Sequence, residues 1–466
     1  MCKQHPRLCS STCAVLLTLS TILWSIPASA AGFFLPTRGV EASGRGGANV
    51  APHRADLNSI WYNPAGLALI DDLQLTVDAA LVGVSDTHLR APRQMDDGST
   101  RTYETVQNQS PPNVIPQIVI GGSTPHPDIG WAVGGYTHYA GTARYPQDGP
   151  QRYVLIDNVG SAMGYLHGAV GWQVTERLAL GAGIQNFMGE LRIVATGSGY
   201  TGMFGDPEDE DLDVMAIATM RDFVGLTGNL GVTFRIHDRL QSGLSLQLPH
   251  SIRDSQATLE TRMPDHPAYD NAQTSNDRVA LEVPYPFYLR GGLRYVSPSF
   301  DAELAVVYQH WSVVDQFVAD PDEVEVTGVP GVDSMPVSPI VVPQEFRNTV
   351  SVHLGGEYRL ATAVDLRAGY VFERGAVPDH RYSVMALDPD KHQLSAGGSY
   401  HFGTDRQRVS IDLTTAYIAM PSKEITNSEV RQVNPSSPDG EHSLVVGNGT
   451  YEHRGFIVGL GVRSRF

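Results

Sequence analysis

Apolar and polar side chains alternate at every second residue, over runs of roughly 10–16 residues that recur along most of this chain. Leu73, Leu75, Val77, Ala79 and Leu81 share one face, with Gln74, Thr76, Asp78 and Ala80 on the other. The pattern returns at Leu230, Val232 and Phe234 against Asn229, Thr233 and Arg235, and at Val409, Ile411 and Leu413 against Ser410, Asp412 and Thr414. Period two is the mark of a strand with two unlike faces. Strands in soluble sheets usually run ~5–6 residues. Runs about twice that long match the ~9–11 tilted residues that a bilayer demands. Lipid offers backbone N–H and C=O groups no partner, so strands cross it only as a closed barrel. The expected fold is therefore all-β: a transmembrane antiparallel barrel of about 14 strands, apolar outside and polar within.

Connection lengths point to a barrel with two different ends. Short turns are expected at residues 125–129, 174–177, 237–239, 297–299, 360–362 and 403–405. Long polar stretches lie near 87–112, 198–221, 263–280, 319–344, 374–390 and 421–449. Hydrophobic residues make up 41% of the chain, an average over a lipid face and a polar lumen. A net charge of −17 opposes binding to phosphate backbones, so nucleic acid is not an expected partner. No apolar run reaches the ~18 residues of a membrane-spanning helix. There is no G-x-S-x-G, no H-E-x-x-H and no clustered histidine spacing, so neither an enzyme nor a metal or other cofactor is expected.

Residues 1–30 read as a cleaved secretory signal. Lys3 and Arg7 precede an apolar stretch at 14–26, and Ala28-Ser29-Ala30 is a small-residue cleavage site. Cys2, Cys9 and Cys13 all fall there, leaving the mature chain without cysteine. Residues 31–72 then form a separate unit ahead of the barrel at 73–466. This unit is rich in Gly and Ala and lacks sustained alternation. Asp56-Leu57-Asn58 before Ser59-Ile60-Trp61-Tyr62 suits the start of a short helix, and Asn63-Pro64-Ala65-Gly66 is turn chemistry. No strand precedes Gly44-Arg45-Gly46-Gly47, so a nucleotide-binding loop is not the reading. A compact, small-residue segment of this kind suits a plug inside the lumen.

The run from Gly32 through Gly39, Ala42, Ser43, Gly44 and Gly46-Gly47-Ala48, closing in Trp61-Tyr62-Asn63-Pro64-Ala65-Gly66-Leu67, resembles the N-terminal hatch of the FadL family. These are outer-membrane channels for long-chain fatty acids and aromatic hydrocarbons. Val283-Pro284-Tyr285-Pro286, Leu289-Arg290-Gly291-Gly292-Leu293-Arg294-Tyr295 and Tyr308-Gln309-His310-Trp311-Ser312 resemble that family's mid-barrel strands. The resemblance implies a monomeric 14-stranded barrel in the bacterial outer membrane, plugged by a hatch at 31–72. It implies passive uptake of hydrophobic molecules, caught by outer loops, passed to an interior pocket and released by hatch movement sideways into the membrane. The implied partners are hydrophobic small molecules, outer-membrane lipid, lipopolysaccharide and the barrel assembly machinery, which would read the terminal Phe466.

Carried onto this sequence, Asn63, Pro64, Ala65 and Gly66 match the hatch motif and become gating candidates. Phe33 and Phe34 sit where the family places an apolar start that can occupy the pocket. Gly134-Gly135 is the candidate for a kink in the wall, since glycine pairs mark bulges. Met203, Phe204, Val214, Met215 and Ile217 suit apolar capture on a loop at 201–220. The acidic run from Asp206 to Asp213 beside them reads as a solvated loop, one that divalent ions could bridge to lipopolysaccharide, and counts against a free fatty acid as substrate. Arg290, Arg294 and Trp311 are the lumen candidates for ligand contact. By alternation Glu282, Glu357, Asp365 and Arg367 also face inward. Two other functions stay open: a general porin for hydrophilic solutes, which would have no hatch, and a structural or adhesive surface barrel that acts through its loops.

Overall fold

The computed structural model describes residues 37–202, 205–328, 334–404, 407–434 and 440–466. The signal reading, Phe33, Phe34, Met203 and Phe204 lie outside them. Fourteen antiparallel strands close into one barrel. In chain order they are β1 (Gln74–Arg90), β2 (Asn113–Ser123), β3 (Ile129–Ala140), β4 (Ala162–Gln173), β5 (Leu178–Ser198), β6 (Asp213–His237) and β7 (Leu240–Gln247, then His250–Arg262). The second half is β8 (Arg278–Tyr285, then Tyr288–Val296), β9 (Phe300–Gln309, then Gln316–Pro321), β10 (Ile340–Pro343, then Thr349–Ala361), β11 (Val364–Glu373), β12 (Lys391–Gly403), β13 (Arg408–Ile425) and β14 (Gly449–Arg465). β14 closes on β1 from Gln74↔Arg465 to Arg90↔Gly449. The Phe466 N–H extends that seam, donating to the Leu73 carbonyl at 2.9 Å.

The six short turns fall where the sequence predicts them, all at one end. The other end carries seven long connections. The additional one, at 141–161, is not among the expected stretches; it packs inward through Tyr145, Tyr153, Leu155 and Ile156, which are buried. β6 also begins at Asp213, so the loop expected at 201–220 ends earlier and its second half is strand.

Burial is inverted relative to a soluble protein. Leu226, Leu354, Leu413 and Leu460 are exposed on the outer face, whereas Gln185, Asn229, Glu303 and Gln393 are fully buried in the lumen. Such a continuous exposed apolar belt requires lipid around it.

Alternation holds phase along most strands but not all. In β8, Tyr288, Arg290 and Arg294 point inward; beyond the break at Pro286-Phe287, Val279 and Tyr285 do. An even-to-odd change of phase sends every following side chain to the other face. Glu282 is thereby turned outward to pair with Arg253 at 2.7 Å, correcting the expectation that it faces the lumen. β7 changes phase likewise across Leu248-Pro249, from Ser245 and Gln247 to Ile252.

The N-terminal segment folds as α1 (Val40–Gly44), α2 (Ser59–Tyr62) and a 3-10 turn at Pro64–Leu69. It is buried along almost its whole length against inward-facing residues on all sides of the barrel. Glycines of the wall receive its backbone. A methyl on Gly130 of β3 would lie 1.9 Å from the Leu67 carbonyl oxygen. On Gly181 of β5 it would lie 2.2 Å from the Ala65 nitrogen, and on Gly243 of β7 it would lie 1.9 Å from the Val50 carbonyl. On Gly355 of β10 it would lie 2.0 Å from the Arg45 carbonyl. These glycines let the plug's main chain touch the wall directly.

Candidate functional site

Charge holds the plug on one side. Arg45 pairs with Asp301 of β9, and Arg54 with Glu357 of β10. Glu41 takes Arg367 of β11 at 3.2 Å and also pairs with Arg463 of β14. Buried carboxylates and guanidiniums are tolerated only when paired and hydrogen-bonded, and here each bond crosses from plug to wall. Arg294 belongs to this group. Its Nε donates to Glu303 at 2.7 Å, and its other nitrogens meet His53 Nδ1 at 2.7 Å and Asn49 Oδ1 at 2.9 Å.

Asn63 does similar work with neutral groups. Its Nδ2 donates to the carbonyls of Val50 (2.7 Å) and Val232 (3.0 Å), and its Oδ1 accepts from the Ala65 N–H. Pro64 opens the 3-10 turn at the position where a missing N–H does no harm. Gly66 sits where a methyl would lie 2.5 Å from Pro52 Cγ. The motif is thus the joint by which the plug folds back on itself and onto β6.

Above the plug lies an aromatic floor. Trp61 of α2 meets Tyr136 of β3 edge-on at 5.7 Å. Tyr165 and Phe187 follow at 4.8 Å, Tyr139 and Tyr285 at 4.5 Å, and His250 stacks on Tyr285 at 5.1 Å. Arg290 of β8 lies over the Trp61 ring, 4.5 Å from its centroid, and 5.5 Å from that of Tyr288. It is 2% exposed, and its Nη1 and Nη2 have no hydrogen-bond partner among the described residues. Arg290 differs in this from Arg294, which is fully engaged. Cation–π contact offsets only part of the cost of burying such a charge.

Over the floor opens a cavity of about 1040 Å³. Tyr139, Met163 and Tyr285 form its base. Ile193, Val214, Ala218, Leu281, Trp311 and Phe346 are among the apolar side chains of its walls. Trp311 donates its indole N–H to Gln309 at 2.8 Å and keeps its ring toward the cavity. Of the capture residues within the described chain, Val214 lines the cavity. Met215 and Ile217 alternate with it on β6, half-buried on the opposite face.

Half of the acidic run is paired with arginine, which corrects its reading as a solvated loop at Asp206, Glu208 and Asp213, while Glu210 and Asp211 stay exposed. Arg93 grips Asp206 with two bonds of 2.8 Å and reaches Glu208 at 2.9 Å. Arg90 pairs with Glu208, which is 3% exposed, and Arg152 holds Asp213 at 2.6 Å. Burial pushes both carboxyls up, but Arg93's hydrogen bonds hold Asp206, and the Arg90 charge holds Glu208, below the usual range. The loop therefore clamps the first and second long connections together.

The wall is not sealed at this level. The β2–β3 ladder ends at Gln117↔Tyr136, and β3 shifts register against β4 between Thr137 and Tyr139. The next bond across is from Gln109 N–H to the Arg144 carbonyl at 2.7 Å. Between them only side chains span, such as Asn113 Nδ2 to the Gly141 carbonyl at 3.2 Å. Gly134 and Gly135, proposed for the kink, lie in regular ladder just below.

Sequence reasoning missed the aromatic floor, since Tyr136, Tyr165, Phe187 and Tyr285 come from separate strands. It also missed the partners of the acidic run. Arg90, Arg93 and Arg101 were visible in one earlier polar stretch, and their charge was the available signal.

Residues 21–466 match the family described as outer membrane protein transport protein (OMPP1/FadL/TodX). NMB0088 of Neisseria meningitidis serogroup B, a protein named for the outer membrane, is 23% identical over 97% of this chain and 98% of its own. The crystal structure of a Pseudomonas aeruginosa FadL homologue superposes with a TM-score of 0.74 at 15% identity, covering 93% of this chain and 99% of that one. The P. putida toluene transporter TodX gives 0.61 at 14% identity with the same coverage.

Proposed function

The chain belongs to the OMPP1/FadL/TodX family of outer-membrane transport proteins, and we propose that it takes up hydrophobic molecules through its aromatic pocket and releases them sideways into the membrane. The family is one of transport channels rather than enzymes. One observation carries the reading: an apolar cavity of about 1040 Å³ ends on a plug fastened all round, while the wall beside it lacks strand pairing. Ligand pockets run to ~300–1,000 Å³, so this one has room for a long chain or several rings. A water-filled route would cost an apolar solute ~0.8 kcal/mol per CH₂ that it exposes, and a wall opening into lipid avoids that cost.

Arginine pairing of Asp206, Glu208 and Asp213 weakens the objection to an anionic head group. Arg290, buried over Trp61 beneath the pocket with two guanidinium nitrogens that have no hydrogen-bond partner among the described residues, supports a substrate with an apolar body and a single carboxylate, alongside neutral hydrocarbons of similar size. Asn63 to Gly66 act as the joint on which the hatch shifts. The test pairs conductance with uptake. The reconstituted protein should pass little ion current yet accelerate entry of fatty acids or alkylbenzenes. A large, steady current in the intact chain would favour a general porin. Deleting residues 63–66 should impair uptake while the barrel still folds, and undiminished uptake would remove the joint from the mechanism.

A further inference from the structure

The geometry points to a second opening in the wall, between β6 and β7, through which apolar molecules exchange between the pocket and the outer leaflet. It rests on the reading of the pocket given above.

β6 leaves both of its neighbours at one height. Against β5 the ladder steps from Phe187↔Gly225 to Gly189↔Asp222, so Phe223 and Val224 have no partner there. Against β7 the ladder ends at Gln247↔Asn229, with one more bond from Leu248 N–H to the Gly228 carbonyl. It resumes only at Thr258↔Thr219. Residues 220–227 and 249–257 thus face each other without strand pairing.

Unpaired backbone is not tolerated in lipid unless something else satisfies it. Here side chains take over. The Arg221 N–H donates to Asp254 Oδ2 at 2.8 Å and the Arg253 N–H to Asp222 Oδ2 at 3.0 Å. Asn186 Nδ2 donates to the Phe223 carbonyl at 2.9 Å, and Thr227 Oγ1 to the Leu248 carbonyl at 3.1 Å. Three of these four bonds cross from β6 to β7, so this stretch of the seam is held by side-chain bonds in place of a backbone ladder.

Each side of the gap is suited to traffic. Outside, Val224 is 76% and Leu226 68% exposed, at the upper end of the outward apolar row that runs through Leu230, Val232 and Phe234. The polar Arg221 and Asp222 occupy the upper end of the gap itself, which sets its apolar lower part at outer-leaflet depth. Inside, His250 stands at its lower edge, 4.4 Å from the Phe187 ring, stacked on Tyr285 of the pocket floor and hydrogen-bonded through Nε2 to the Tyr165 hydroxyl at 3.0 Å. The changes of phase in β7 and β8 fall at the same level and let pocket side chains reach this edge.

Disulfide staples test the opening. The native cysteines, at 2, 9 and 13, fall outside the barrel. Asp222→Cys with Arg253→Cys closes β6 to β7, and Asn113→Cys with Gly141→Cys closes β2 to β3. Pyrene is loaded into the reconstituted protein, and its exit is followed by loss of tryptophan-to-pyrene energy transfer. The β6–β7 staple should slow exit severalfold, alone and on top of the β2–β3 staple, with reductant restoring the rate in the same sample. An unchanged rate in both backgrounds would overturn the proposal. A photoreactive alkyl diazirine in the unstapled protein gives an independent readout. It should label peptides spanning 220–227 and 249–257, and labelling confined to 110–116 and 137–143 would likewise overturn it. Absence of any pyrene binding would instead defeat the pocket reading itself.

Discussion

Arg290 and Arg294 lie four residues apart on one strand, face the same lumen and do different things. Arg294 spends its donors on Glu303, His53 and Asn49 and fastens the plug. Among the described residues Arg290 has only ring faces and a register partner, Ser245, whose hydroxyl also lacks a hydrogen-bond partner there. A buried cation without a counter-charge is destabilising, so it is retained at a cost that a ligand's carboxylate would offset. Arg290→Met should therefore leave thermal stability equal or higher. It should weaken a long-chain carboxylate about ten- to a hundredfold, given ~1.5–3 kcal/mol for a hydrogen bond to a charged group, and leave a neutral hydrocarbon unaffected. Titrating matched acid and hydrocarbon ligands measures this. Equal loss for both would make Arg290 a packing residue. Alternation located both arginines in the lumen, but it could not separate them, because their partners come from the plug and from β9. It misplaced Glu282 for a related reason: Pro286-Phe287 resets the phase, and a two-residue break leaves no trace in the composition of either half.

Elements show the same division between what a period can carry and what it cannot. The strands, the short turns and the short helix before Asn63 follow from local chemistry. How the plug is seated does not, because a glycine in a strand looks the same whether it faces open space or another backbone. Gly291 of β8 has nothing near it, whereas Gly181 of β5 lies against the Ala65 nitrogen. Gly181→Ala should therefore unseat the 3-10 turn at Pro64–Leu69, at roughly the 1–3 kcal/mol typical of overpacking, and raise the resting ion current. Gly291→Ala should change neither, and equal behaviour of the two variants would deny the close fit. The loop clamp makes a second prediction at this scale. Asp206 and Glu208 are held below their usual range by Arg93 and Arg90. Depressed carboxyls stabilise the folded clamp above their ordinary value of ~4 and lose that contribution as pH falls through the lower, folded value. Hydrogen exchange at 205–212 should be slow at neutral pH and rise below about pH 4. No rise there would mean that the ion pairs do not hold the loop.

Across the whole molecule the plug is held unevenly. Its first half, through Arg54, is tied by buried ion pairs to β9, β10, β11 and β14. Its second half rests on β2 to β6 through close packing and neutral hydrogen bonds, among them Asn63 to Val232, Asn229 to Ile60 and Gln117 to Asn58. Removing one member of a buried pair costs ~3–5 kcal/mol, while single neutral hydrogen bonds contribute ~0.5–1.5 kcal/mol each. A ligand pressing on Trp61 from above meets the weaker half, which also carries the Asn63 joint and lies beneath both unpaired stretches of wall. Movement that opens a sideways path should then be confined to residues 59–70, with the ionic half as a fixed base. Hydrogen exchange on the reconstituted protein can separate the halves. Adding a bound hydrocarbon should speed exchange at 59–70 and leave 40–50 unchanged. If both halves quicken together, the plug shifts as one body and the ion pairs must break on every cycle. Glu357→Gln, which leaves Arg54 and Arg367 to share Glu41, should then accelerate uptake; if only the second half moves, the same substitution lowers stability without speeding transport.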